Sequence, residues 1–217
     1  MPAFHAIIAD DHPLYRNALK QALEASFPGA MVAEAGNLNQ AVESLRKAEA
    51  CDLILLDLKM PGVQGFSGLM YLRAEHPAVP VVIVSASEEP QVIRRALALG
   101  ASGYVPKSTP MEEMRQAFAA VINGDIWTPP GLATESADAA EIADLAKRLA
   151  TLTPQQMRVL MMLREGLLNK QIAYQLTVSE ATVKAHVSAI LLKLDVDSRT
   201  QAVIAAAKLD GEVGAEI

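Results

Sequence analysis

The chain has 217 residues, 51% of them hydrophobic, and a net charge of −6, which excludes a disordered or fibrous protein and fits one large or two small globular domains. No apolar run approaches the roughly 20 residues of a membrane span, and no basic region leads into an apolar one at the N-terminus, so the expected compartment is the cytoplasm and no membrane partner is expected. The single cysteine, Cys51, permits no internal disulfide and reads as a packing residue.

From the N-terminus, "FHAIIA", "MVAEA", "LILLD", "VVIVSA" and "GYV" read as strands, each followed by helically spaced apolar residues. This alternation predicts an α/β fold, a five-stranded parallel sheet with helices on both faces. Leu53–Leu56 and Val81–Val84 are almost wholly apolar and belong at its centre, where both faces of a strand are covered. After "GYV", Thr109, Pro110 and Glu112 stand in order as a cap, a first-turn proline and a capping-box acid.

The first strand stops at two adjacent carboxylates, Asp10 and Asp11, whose like charges repel. In an open parallel sheet, ligands gather at the carboxyl ends of the strands where strand order reverses. Asp57 ends the third strand, so the three acids converge on one crevice. A divalent cation offsets their repulsion, and carboxylates with a carbonyl and waters suit Mg²⁺. Ser85 and Lys107, at the ends of the fourth and fifth strands, add a hydroxyl and an ammonium. Together they form a phosphate-sized site in which a carboxylate attacks a phosphoryl group and becomes an acyl phosphate. His5, His12 and His76 show no metal-ligand spacing.

"NGDIWTPPGLATESADAAE" interrupts the pattern with glycines, paired prolines and small residues, placing a boundary near Trp127. The first domain is expected over 1–125 and a linker over 126–150. From about Ala137, Ile142, Leu145, Ala146 and Leu149 recur at helical spacing. Such a helix docks on a neighbour or forms a dimer seam, and spacing alone leaves both open.

Residues 151–210 are the one positive stretch, with 7 Lys and Arg against 5 Asp and Glu. Thr153 with Pro154 and Gln156, Asn169, Ser179, and Ser198 with Gln201 mark four helix starts, predicting a small all-α domain over 151–217. The tight link "LTVSE" between the second and third helices reads as a helix-turn-helix. On the third helix, Val183, Val187, Ile190, Leu191 and Leu194 form a core stripe, and His186 beside it reads as a packing residue. Lys184, Ala185 and Ser188 face outward and are the candidates to meet base edges, with Lys193 flanking that face. Asn169, Lys170, Thr182 and Arg199 are the expected phosphate contacts.

The motifs "IIADDHPLYRNAL", "LILLDLKMPGVQG", "VVIVSAS" and "GYVPKS" resemble the receiver domain of two-component response regulators. "LTPQQMRVLMMLREGLLNKQIAYQLTVSEATVKAHVSAILLKLDVDSRTQAV" is similar to the LuxR-type DNA-binding domain. Over residues 3–209 the chain thus resembles the NarL/FixJ class. The resemblance implies a flavodoxin-like doubly wound receiver whose phospho-acceptor is Asp57, charged by a sensor histidine kinase in a Mg²⁺-dependent reaction. It implies metal ligation by Asp10, Asp11, Asp57 and the Lys59 carbonyl, a phosphate contact from Lys107, and a switch pair of Ser85 and Tyr104. It also implies a transcription regulator rather than an enzyme, which dimerises on activation and binds double-stranded DNA. Ser85 stands where the family often has threonine, and Pro106 precedes Lys107 where many members have proline after it. An aspartyl-phosphate phosphatase carries a second acid where Lys59 stands. The remaining alternative is a phospho-receiver that acts by protein–protein interaction, with weak or no DNA binding.

Overall fold

The computed structural model describes residues 4–61, 63, 65–132 and 139–208. β1 (His5–Ala9), β2 (Met31–Ala35), β3 (Leu53–Leu56), β4 (Val81–Ser85) and β5 (Gly103–Pro106) form one parallel sheet in the order β2-β1-β3-β4-β5. Strand order reverses beside β1, which is flanked by β2 and β3. Alternate side chains take opposite faces. Ile7, Ile54, Ile83 and Tyr104 pack with α2 (Leu38–Lys47), α3 (Ser67–Glu75) and α4 (Pro90–Ala98). Ile8, Leu55, Val82 and Val105 pack with α1 (Pro13–Ser26) and α5 (Met111–Ile122). Each fully buried Leu, Ile or Val contributes roughly 2 kcal/mol relative to exposure, so β3 and β4, buried at every position, anchor the centre as their composition requires.

Helix α5 starts one residue later than its sequence signals suggest. Pro110 itself takes the cap position without a side-chain bond, and the Thr109 N–H donates to the Pro106 carbonyl at 3.0 Å instead. Beyond α5 the chain returns to the sheet edge, where Trp127 bridges Gly103 and its carbonyl accepts from Tyr104 N at 3.1 Å. A Cβ at Gly103 would sit 3.2 Å from Val121 Cγ2 and 3.3 Å from the Trp127 carbonyl oxygen, so glycine is what lets the strand approach so closely.

α6 (Ala139–Ala150) docks on α3 and α4 through Ala146 and Leu149, and on the C-terminal helices. Of the two readings of its apolar spacing, docking is the one realised. The stretch before it, including the expected start near Ala137, lies outside the described residues, as does the tail from 209 to 217.

The C-terminal helices are α7 (Pro154–Arg164), α8 (Asn169–Leu176), α9 (Glu180–Leu194) and α10 (Arg199–Lys208). Thr153 and Gln156 form a reciprocal capping box for α7, at 3.3 and 3.0 Å. Ser179 caps α9 by accepting from Thr182 N at 3.0 Å. At α10 the box is only half formed: Ser198 Oγ accepts from Gln201 N at 3.2 Å, but the Gln201 side chain reaches Asp197 N at 2.7 Å. Thr177, in the left-handed conformation at φ 56°, ends α8 and turns the chain into α9. Val183, Ile190 and Leu194 are buried as the stripe predicts, whereas Val187 and Leu191 are only partly covered.

Candidate functional site

The sheet delivers its polar residues to one end. Asp10 follows β1, Asp57 follows β3, Ser85 closes β4 and Lys107 follows β5. The Lys107 ammonium lies 2.6 Å from Asp10 Oδ2 and 2.8 Å from Asp57 Oδ2, joining strand ends that are 50 residues and more apart in sequence. Asp10 and Asp57 are 0% and 2% exposed, and Asp11 stands at the rim. The second Asp57 oxygen accepts from Lys59 N at 3.1 Å, and the Asp10 carbonyl accepts from Arg16 Nη1 at 2.7 Å. Burial pushes the Asp57 carboxyl above its ordinary pKa, against the pull of Lys107 and Lys59 N–H. Burial alone would lower the Lys107 ammonium, but its bonds to Asp10 and Asp57 outweigh that and raise it. Lys107 also lies 4.9 Å over the Tyr15 ring.

Ser85 is buried, and its Oγ accepts from Ser87 N at 3.3 Å. Tyr104 is fully buried and donates to the Ser87 carbonyl at 2.8 Å, so both expected switch residues bond to Ser87 of the loop between β4 and α4. Burial pushes the Tyr104 hydroxyl up to about 12, against its bonds to Ser85 and Ser87, so it is a donor at neutral pH.

At the other end of the chain, Thr182, Lys184, Ala185 and Ser188 are exposed on α9. Their polar groups are lightly engaged: Lys184 Nζ lies 3.3 Å from Glu180, Ser188 Oγ donates to the Lys184 carbonyl at 3.1 Å, and Thr182 Oγ1 lies 2.8 Å from Ser179 Oγ. Lys170 is exposed on α8, and the Asn169 Oδ1 is buried without a hydrogen bond. Two expected contacts also bond within the domain. Lys193 donates to the Thr151 carbonyl at 2.7 Å and to Gln156 Oε1 at 2.8 Å, and Arg199 donates to the Leu167 carbonyl at 2.6 Å.

Residues 6–119 match the response regulator receiver domain, and residues 150–206 match the bacterial regulatory proteins of the luxR family. The chain is 33% identical over 200 residues to the nitrate/nitrite response regulator protein NarL of Escherichia coli strain K12, covering 91% of this chain and 92% of that protein. The chain belongs to the NarL/FixJ class of response regulators. This response regulator is also 43% identical over 213 residues to the glycerol metabolism activator of Pseudomonas putida, covering 95% of this chain and 96% of that protein. Among solved structures, the RcsB response regulator of Salmonella typhimurium shares the fold, with a TM-score of 0.56 at 23% identity over 96% of this chain and all of that one. The chain is therefore a transcriptional regulator built from a receiver and a LuxR-type DNA-binding domain. No helix among the described residues is long and apolar enough to cross a membrane.

The acidic crevice of this response regulator fits a divalent cation. Donor atoms of Asp10, Asp11, His12 and Asp57 all lie within 4.8 Å of one another. A single ammonium faces three carboxylates there, and the enclosed Asp10 Oδ2 has only the Lys107 ion pair. A mostly carboxylate set of hard oxygens is the chemistry Mg²⁺ selects. His12, which sequence spacing sets aside, stands beside these acids: its Nδ1 lies 2.7 Å from Asp11 Oδ1 and 3.2 Å from Asp10 Oδ1. Its adjacency to the acid pair was the available signal. Tyr15 and Arg16 escape sequence reasoning for a different reason, because one turn of α1 is what brings them under the site.

Proposed function

We propose that Asp57 accepts a phosphoryl group from a sensor histidine kinase, and that this phosphorylation switches DNA binding. The observation that carries it is the Lys107 bridge at 2.6 and 2.8 Å between two buried carboxylates at the strand ends. Asp57 presents a carboxylate oxygen as nucleophile, and Asp10, Asp11, Asp57 and the Lys59 carbonyl are the residues to hold Mg²⁺. Bound there, Mg²⁺ supplies positive charge against the phosphoryl oxygens. Lys107 supplies the second cation, turning from Asp57 to a phosphoryl oxygen, and the Ser85 hydroxyl donates to another.

The switch follows from hydrogen bonding along one loop. When Ser85 turns toward the phosphoryl group it strains the Ser87 peptide that Tyr104 holds, and the displacement passes to α4. α4 is the helix on which α6 rests, so α6 and the domain behind it respond. Activation ends in a cytoplasmic homodimer that reads double-stranded DNA with Lys184, Ala185 and Ser188, while Thr182, Asn169 and Lys170 meet phosphates. Lys193 and Arg199 serve the domain's own packing.

One observation favours a second reading, a receiver that works by protein–protein interaction: the outward face of α9 offers small side chains and one paired lysine. Fluorescence anisotropy on duplex DNA, with and without acetyl phosphate and Mg²⁺, separates the two. Phosphorylation is expected to tighten binding at least tenfold in the wild type and not at all in Asp57→Ala. Absence of binding by the phosphorylated wild type at low salt overturns DNA readout in favour of the second reading.

A further inference from the structure

A cavity of about 540 Å³ opens between the two domains, walled by α2 and α3 on one side and α7 on the other. It is separate from the acidic crevice and from the outward face of α9. Its walls are chemically divided. Leu38 and Val42 from the receiver, with Met161 and Met162 from α7, supply an apolar lining. Arg46 of α2, Tyr71 of α3 and Arg158 of α7 line it together, and both guanidinium charges act to lower the pKa of the Tyr71 phenol. Two guanidinium groups, one from each domain, thus face one cavity. Two carboxylates also line the cavity, Glu165 and Glu43, the latter paired with Lys47 at 2.6 Å.

Guanidinium forks match the geometry of a carboxylate, and paired cations beside an apolar wall recognise a ligand with both characters. The volume lies in the range of small-molecule sites, and methionines adapt their shape to an aliphatic or aryl body. Burial raises the Tyr71 pKa, so the phenol stays a donor at neutral pH. We propose that this cavity binds a small amphiphilic monocarboxylate, its carboxylate between Arg46 and Arg158 and its apolar body against the methionines. Because the two arginines belong to different domains, the bound anion fastens the domains in this arrangement. The site is an input separate from Asp57.

Isothermal titration calorimetry of the full chain with octanoate tests this, with 1-octanol and inorganic phosphate as comparison ligands. Octanoate should bind at least tenfold more tightly than either, because each comparison ligand lacks one half of the recognition. Arg46→Ala and Arg158→Ala should each weaken octanoate at least tenfold, with circular dichroism confirming the fold. Met162→Trp, which fills the apolar wall and keeps both arginines, should weaken it comparably. Asp57→Ala should bind octanoate as the wild type does, so that failure of the phosphorylation reading and failure of this one are distinguishable. No binding of octanoate to the folded wild type, equal binding of 1-octanol, or unchanged binding in both arginine variants overturns the proposal.

Discussion

Asp10 and Asp57 are sealed at the strand ends, whereas Lys184, Ala185 and Ser188 stand in solvent on α9. A buried charge must find a partner or leave the interior, so Lys107 is held between the two acids and the geometry of the crevice exists before any ligand arrives. An exposed side chain faces no such demand. Lys184 rests against Glu180 one turn away, a pairing worth a few tenths of a kcal/mol that DNA readily displaces. The receiver site is therefore shaped by its own fold, and the DNA face awaits its ligand to be shaped.

The sharpest way to break this contrast is to remove the central cation. Lys107→Met leaves Asp10 and Asp57 buried without their partner and should cost about 3 kcal/mol in urea unfolding without Mg²⁺. Because the folded Lys107 pKa lies above its ordinary 10.5, that stabilisation is fully present below pH 10.5 and is lost as pH rises through the raised value. The gap between wild type and variant should hold through neutral pH and narrow above pH 10.5. Added Mg²⁺ should restore part of the variant's stability by binding the native state alone. Equal stability of the two proteins would show that the bridge does not hold the crevice.

Next in size is Arg199→Ala, which removes a charged donor from the Leu167 carbonyl and should destabilise by roughly 1.5 kcal/mol. Its salt slope for DNA binding should match the wild type; a shallower slope would assign Arg199 to DNA after all. Lys184→Ala should behave in the opposite way, with unchanged unfolding but a slope of log affinity on log salt shallower by about 0.9. Ser188→Lys should tighten binding to specific and scrambled duplexes alike, and no effect from either α9 variant would mean that this face does not meet DNA. The smallest effect concerns Cys51, whose thiol burial pushes up to about 11. Iodoacetamide labelling of the native chain should be slow at pH 8 and rise about tenfold per pH unit toward pH 11, reporting a thiol that packs rather than reacts.

The five strands, the convergence of Asp10, Asp57, Ser85 and Lys107, and the four C-terminal helix starts were legible in the sequence because each rests on a local pattern or a general rule of parallel sheets. Period-two and period-3.6 patterns separate strands from helices, and the parallel-sheet rule carries strand-end residues to one crevice. Reading failed where a competing partner was close in sequence or remote from it. Thr109 loses its cap role to Pro110, and the Gln201 side chain prefers Asp197 N over Ser198 N, choices settled by a residue's worth of backbone direction. Lys193 and Arg199 read as DNA contacts, and nothing in the sequence signalled that Gln156 and the Leu167 carbonyl, packed alongside, also take up donors of theirs.

By itself the sequence determined two folding units, the acid–hydroxyl–lysine set of the first, and the outward face of α9, since these follow from local pattern and composition. Only the tertiary structure decided that α6 rests on α3 and α4, that His12 leans over the acid pair, and that Arg46, Tyr71 and Arg158 line one cavity. Those contacts join residues from separate elements whose proximity depends on how whole surfaces pack, and no local periodicity encodes which surface a helix will choose.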